Sequence, residues 1–310
     1  MALIDMMEIF QMTNPGEHID ATDVYNSNNN LLDNWYFVGG GSQLGDGVFP
    51  INQRGQTSYS DGGTTNIDRW WAQYDTATTL TSAGMRMTGK WDVDQRLPQV
   101  LPSGTYTFSV NVVSLGSTGA ILQFLDENYQ QLASAPLNNE GITSFTLTSD
   151  RIRGVGVNMA KPDGSGDITF ASMKLEKGTV STLANDAPPD FGKVLEKCKR
   201  YLQRVKQPQG YTASVGFGMV GAVSNILRTT IPLSSPLRNA ASITATATNT
   251  GQMFVWGNGS YYNVTGVTGR TVLNGNAIVD ITVNGTLENY KIYNLILNNA
   301  DAYIDLSAQL

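Results

Sequence analysis

Short runs of alternating apolar and polar residues, each closed by a turn signal, constrain this chain more than any other feature. Thr105-Tyr-Thr-Phe-Ser-Val-Asn-Val112 places Tyr106, Phe108, Val110 and Val112 on one face of an extended segment. Further strands are predicted at Ala120–Leu125, Ile142–Leu147, Arg153–Met159 and Asp167–Leu175, separated by turn residues such as Asp126-Glu-Asn128. The spacing suits an antiparallel sandwich, and the absence of alternating helical segments argues against a parallel α/β sheet. From Tyr211 onward the same texture returns, with tight-turn signals at Asn258-Gly259, Asn274-Gly275 and Asn284-Gly285.

One segment breaks the pattern. Phe191, Val194, Leu195, Cys198, Tyr201, Leu202 and Val205 fall at helical spacing, which predicts an amphipathic helix over 191–206. Pro189 and Asp190 start it, and Pro208 with Gly210 stops it. Its apolar stripe is expected to bury against the sheet of the second half. The chain therefore reads as all-β: two antiparallel, jelly-roll-like β-sandwich domains joined by one amphipathic helix, after a short N-terminal segment. The expected divisions are residues 1–30, a methionine-rich docking or oligomerisation segment; 31–187, the first sandwich; and 188–310, the helix and second sandwich.

The polarity is carried by amides and hydroxyls rather than ions. Charged residues make up 15% of the 310, against about 25% in an average domain. The net charge of −6 argues against nucleic acid as the main partner. Lys193, Lys197, Lys199, Arg200, Arg204 and Lys206 do cluster, but as the solvated face of the helix. No run approaches the ~18 apolar residues of a membrane span. The single cysteine, Cys198, forms no internal disulfide and sits on the apolar side of the helix, as an inert buried thiol.

Several residue groups carry a more specific likeness. They are Asn34-Trp-Tyr-Phe37, Ile51-Asn-Gln-Arg-Gly55, Tyr59, Ile67-Asp-Arg-Trp70, Gly104-Thr-Tyr-Thr107 and Met173-Lys-Leu-Glu176. Over these the first half resembles the carbohydrate-binding-module-like jelly rolls of phage and prophage tail-fibre and appendage proteins. Leu195-Glu-Lys-Cys-Lys-Arg-Tyr-Leu-Gln203 resembles the start of a domain that often follows such a module. The resemblance implies a virion protein, assembled in the host cytoplasm and acting outside the cell. Its implied partners are a host-surface glycan and, through residues 1–30, other virion proteins. It also implies a homotrimer, although no heptad run supports one. The same modules serve as a capsid head fibre in the alternative reading.

Chemistry-bearing residues are sparse. His18 is the lone histidine and, with one cysteine, excludes an evident triad or zinc site. No cofactor is expected, and a calcium ion at Asp46, Asp126 or Asp163 is the one metal role left open, without a D-x-D-x-D-G loop to support it. The pairs Asp92/Asp94 and Asp126/Glu127 would serve a polysaccharide depolymerase, but they read as solvated turn acids and the chain as a non-enzyme. Exposed rings are the remaining binding signal, because sugar C–H faces pack on them. Trp71, Tyr74, Trp91, Trp256, Tyr261 and Tyr262 are the candidate ligand-binding residues, whereas Trp70 reads as core.

Overall fold

The computed structural model describes residues 30–39, 49–60, 64–65, 67–116, 120–207, 212–239, 241–299 and 301–308. All of the expected docking segment except Asn30, together with His18 and Asp46, lies outside them. The described chain is almost entirely antiparallel β-structure, as its alternation predicts.

In the first half the chain passes back and forth between two six-stranded sheets. One holds β1 (Ser58–Tyr59), β4 (Thr76–Thr81), β5 (Gly84–Gly89), β12 (Gly166–Lys177), β7 (Gly104–Leu115) and β10 (Gly141–Ser149), in that order. The other holds β2 (Thr64–Thr65), β3 (Trp71–Ala72), β6 (Asp92–Arg96), β11 (Gly154–Asn158), β8 (Ala120–Leu125) and β9 (Gln131–Leu137). Tyr106, Phe108, Val110 and Val112 enter the core between the sheets, as their period-2 spacing predicts. There Phe108 meets Phe124 edge-on at 6.4 Å. Trp70 is fully buried, and burying a ring of that size contributes about 2–3 kcal/mol.

The second half begins with α1 (Phe191–Lys199), capped by Asp190, whose Oδ1 accepts from the Lys193 backbone N–H at 2.8 Å. The helix is shorter than its periodicity suggests. Leu202–Lys206 forms strand β13, because that segment pairs antiparallel with β21 (Tyr303–Ser307). A five-residue apolar-polar run satisfies either period, and the long-range ladder decides between them. The helix also packs elsewhere than expected. Val194 and Cys198 bury against Phe49 and Ile51 of the first half, and Phe191 meets Phe49 edge-on at 5.7 Å. Cys198 is fully buried, and burial pushes its thiol pKa well up, consistent with an inert group.

β13, β21 and β16 (Thr244–Thr248) make a three-stranded sheet. The remaining strands are β14 (Ala213–Val220), β15 (Ile226–Pro232), β19 (Asn276–Val283), β18 (Ser260–Leu273), β17 (Met253–Gly257) and β20 (Ile292–Leu297). They close into a six-stranded barrel around Leu227, Val255, Val279, Ile281 and Leu295. The Asn258-Gly259 turn between β17 and β18 has positive φ at both residues (50° and 74°), as a tight hairpin of that hand requires. Among the described residues no helix is long and apolar enough to cross a membrane.

The motif residues behind the family resemblance turn out to be structural. Asn34, buried at φ 51°, donates from Nδ2 to Ile51 O (2.8 Å) and Asp68 O (2.9 Å), and its Oδ1 accepts from Ile51 N–H at 2.7 Å. Trp70 Nε1 donates to Asn34 O at 2.9 Å. Gln53 Nε2 donates both to Asp68 Oδ2 (2.8 Å) and across to Leu202 O (2.7 Å), tying the halves together. Near the other end of the module, Lys174 is buried with Nζ on Asp186 Oδ1 (2.8 Å) and Thr182 Oγ1 (2.7 Å), while Glu176 holds the Thr182 N–H at 2.8 Å. Replacing Asn34 by Ala strands three buried backbone partners. It should lower unfolding free energy by about 3 kcal/mol, read as a shift of the urea midpoint with an unchanged slope.

Candidate functional site

The outward side of the β2–β9 sheet carries the richest polar constellation among the described residues. Register fixes its composition. Trp71, Asp94, Gly156, Gln123 and Ser134 lie directly opposite one another across β3, β6, β11, β8 and β9. Asp92, Asn158 and Ile121 form the next row, and Arg96, Gly154 and Leu125 the one on the other side. The intervening residues Val93, Val157 and Leu122 point into the core, so these three rows face away from it.

Two glycines let the neighbouring strands close in. A Cβ on Gly156 would stand 2.9 Å from Asp94 Cβ and 2.8 Å from Val93 O, and one on Gly154 3.3 Å from Leu125 Cδ1. Both glycines, Asp94 and Gln123 are buried, because the side chains of β6 and β8 close over β11. Asp92 Oδ2 accepts from Gln123 Nε2 across it at 2.7 Å. Asp94 Oδ1 accepts from Arg96 Nε at 3.2 Å.

The wall is a stack of rings and cations. The Arg96 guanidinium lies 4.2 Å from the Trp71 ring centre and 4.6 Å from that of Tyr129, and Arg153 covers Tyr129 at 5.3 Å. Tyr129 is held at φ 59° by a turn that Asp126 organises. Asp126 Oδ1 accepts from the N–H groups of Asn128 (2.8 Å) and Gln130 (3.0 Å), and Arg151 binds Oδ2 at 3.2 Å. Those hydrogen bonds hold the Asp126 carboxyl below its usual pKa.

The sequence expectations divide on this surface. Trp71 is in the site, with one partner already on it. Asp92 and Asp94 share a strand face, but they are not the solvated turn acids expected: Asp94 is buried. Trp91 immediately precedes β6 and is half-buried. Tyr74 is exposed beyond β3, and no contact places it with the stack. In the barrel, Trp256 and Tyr261 are an outward cross-strand pair at 6.3 Å, whereas Tyr262 packs edge-on against Tyr293 at 6.1 Å. Asp163 spends its carboxylate on its own turn, and Asp126 divides its carboxylate between its turn and Arg151. Among the described residues no three His, Cys, Asp or Glu side chains cluster as a metal would need.

Sequence reasoning missed Arg96, Gln123, Tyr129, Arg153 and Gly156. The alternation Gly154-Val-Gly-Val157 was the available signal, because it leaves one face of a strand without side chains.

Fold and site together define an antiparallel β-protein whose outward sheet face combines rings, carboxyls and amides. No protein-family model matches the chain, and no curated protein matches it. Among solved structures it is similar to the CBM22-1-CBM22-2 tandem domain of Paenibacillus barcinonensis Xyn10C, at 11% identity over 82% of this chain and 90% of that one, TM-score 0.27. It is also similar to a Paenibacillus sp. cycloisomaltooligosaccharide glucanotransferase complexed with cycloisomaltoheptaose (10% identity, 84% and 47% coverage, TM-score 0.21). A third likeness is to cucumber necrosis virus (9% identity, 75% and 89% coverage, TM-score 0.17). At such scores the likeness reaches no further than β-rich architecture.

Burial pushes the Asp94 carboxyl up to about 7, opposed by Arg96 and reinforced by Asp92. Asp92 is raised as well, chiefly by burial. An acid with a raised folded pKa stabilises the protein fully below its unfolded pKa of 3.8. That contribution is lost as pH rises toward about 7 and changes no further above it. Asp68, raised to about 6 by burial, adds to the same slope. Asp94→Asn should therefore flatten the fall in stability between pH 4 and 7 without abolishing it. Chemical denaturation across that range measures the change, at no more than about 1.4 kcal/mol per pH unit for the one group.

Proposed function

We propose that the chain is a non-catalytic glycan-binding protein of a virion appendage, and that the half-exposed part of this sheet face, around Trp71 and Asp92, is where it holds a sugar. The observation that carries this is the pairing of Trp71 and Asp92, both half-buried, on one sheet face, with Gln123 holding the Asp92 carboxyl. A pyranose presents an apolar C–H face to a ring and hydroxyls to amides and carboxyls, and that face offers both. The virion assignment, with acting outside the cell, rests on the motif resemblance at Asn34–Phe37, Ile51–Gly55 and Ile67–Trp70. Docking to other virion proteins through residues 1–30 rests on the apolar spacing of that segment.

Hydrolysis fits less well. A glycosidase sets its two carboxyls on either side of the scissile bond. Asp92 and Asp94 stand side by side on one strand, and would meet a bound sugar from the same side. Their nearest polar partners, Gln123 and Arg96, hold them in place rather than freeing them for proton transfer.

On a glycan array or whole host cells, Trp71→Ala and Gln123→Ala should each weaken binding about tenfold, the equivalent of ~1.4 kcal/mol. Reducing ends should not accumulate from host polysaccharide. Release that Asp94→Asn abolishes would replace this reading with the depolymerase one.

The second reading, a structural role such as a head fibre, has its own observation. The barrel exterior presents Phe217, Met219, Ile292, Trp256 and Tyr261 on adjoining strands, all exposed. Phe217, Met219 and Ile292 border a groove of about 550 Å³, whose lining also pairs Asp280 with Arg228 and Arg270. An exposed apolar patch beside ion-paired polar residues is the anatomy of a subunit interface, and the proposed homotrimer would use it. Light scattering should then show that Phe217→Asp with Ile292→Asp lowers the oligomeric mass to that of one chain. An unchanged mass would place any self-association elsewhere.

A further inference from the structure

A second stack runs toward the first. Arg69 lies 3.6 Å from the Tyr201 ring centre, and Arg238 covers the same ring at 5.7 Å. Arg238 belongs to the second half, in the segment after β15, yet its Nη2 donates to Pro98 O of the first half at 2.6 Å. Pro98 follows Leu97, whose N–H donates to Arg153 O at 2.8 Å, so Arg238 comes up beside the backbone of Arg153, and Arg153 and Tyr129 both act on its ionisation. The stacks Trp71–Arg96–Tyr129–Arg153 and Arg69–Tyr201–Arg238 thus meet where the two halves join.

The arginines in this cluster are not equally satisfied. Arg69 is paired with Asp33 at 3.0 Å, and Arg96 with Asp94 at 3.2 Å. Arg151 takes Asp126 and Glu127. Arg153 and Arg238 have no carboxylate partner among the described residues; their protein acceptors are the backbone oxygens of Glu127 (3.4 Å) and Pro98 (2.6 Å). Each also carries a buried donor with no acceptor, Nε of Arg153 and Nη1 of Arg238. Burying an unanswered N–H costs about 1–3 kcal/mol, more on a charged group. Two neighbouring cations repel each other besides, and burial with the charges of Arg69 and Arg153 depresses the Arg238 pKa.

We infer that the junction between the halves is an oxyanion site, in which Arg153 and Arg238 hold a carboxylate, sulfate or phosphate group. A bound oxyanion supplies acceptors to both idle donors and offsets both charges. The site adjoins the Trp71 face through Arg96 and Tyr129, so an acidic sugar of a surface polymer is one source of that group and a free inorganic anion the other. The inference stands whether or not that face holds a sugar.

Thermal unfolding of the full chain at constant ionic strength, with chloride exchanged for sulfate or for glucuronate, tests it. Either anion should raise the Tm in a saturable way by on the order of 3 °C at a hundredfold excess over its Kd, while glucose should not. Arg153→Gln and Arg238→Gln should each reduce the apparent anion affinity at least tenfold. In chloride alone Arg238→Gln should melt no lower than the parent, because it removes an unanswered cation. Trp71→Ala should leave the anion response intact, which separates this site from the proposed sugar site. A response to glucuronate stronger than to sulfate assigns the acidic sugar as source, and the reverse assigns the inorganic ion. A parent protein indifferent to both anions, or a double Arg153→Gln, Arg238→Gln variant that responds like the parent, overturns the inference.

Discussion

Everything positioned in this molecule depends on a small buried network of amides around one carboxyl. Asn34 closes three hydrogen bonds to the backbone of segments far apart in sequence. Gln53 extends that network to Asp68 on one side and to the Leu202 carbonyl on the other. Burial raises Asp68 to about 6, opposed by Arg54 and by hydrogen bonds from Gln53. A network of this kind has little net stabilising value while intact and a large cost when one member is lost. Its value is geometric: it fixes where loops cross and where the second half begins relative to the first.

That geometry explains why the surface chemistry converges. α1 buries Val194 and Cys198 on Phe49 and Ile51, so Tyr201 just past its end lands over Arg69. Arg238 follows from the same attachment, reaching Pro98. The sheet face contributes Arg96 and Arg153 from β6 and from the residue before β11. A strand register, a helix seat and a linker bond together place four guanidinium groups and two phenol rings in one neighbourhood. None of these placements is local.

Sequence legibility follows the same division. The strand at Thr105–Val112 announced both its type and its buried face, because period-2 alternation is a property of the strand itself. Trp70 and Cys198 were legible as core for similar reasons. The helix was legible at its start, through Asp190, but not at its end, where pairing with β21 converted Leu202–Lys206 to strand. Barrel closure depends on β20 pairing with both β14 and β17, contacts that no local pattern encodes. The acids at Asp92 and Asp94 were visible as a pair, yet their burial depends on what β11 and β8 place beside them. Tyr262 looked like a surface ring beside Tyr261. The pleat sends the two to opposite sides, and Tyr262 meets Tyr293.

The three-stranded sheet has a consequence of its own. β13 carries the chain into the barrel, and β21 brings it back antiparallel, residue for residue beside its own departure. Arg204 clasps Asp305 across that seam at 2.7 Å and stacks on Tyr303. Departure and return therefore share one doorway, and the intervening residues form a cassette. Apart from β16, which pairs with β21, and Arg238, which bonds Pro98, its loops and outer surface are free to diversify without disturbing the mount that presents them.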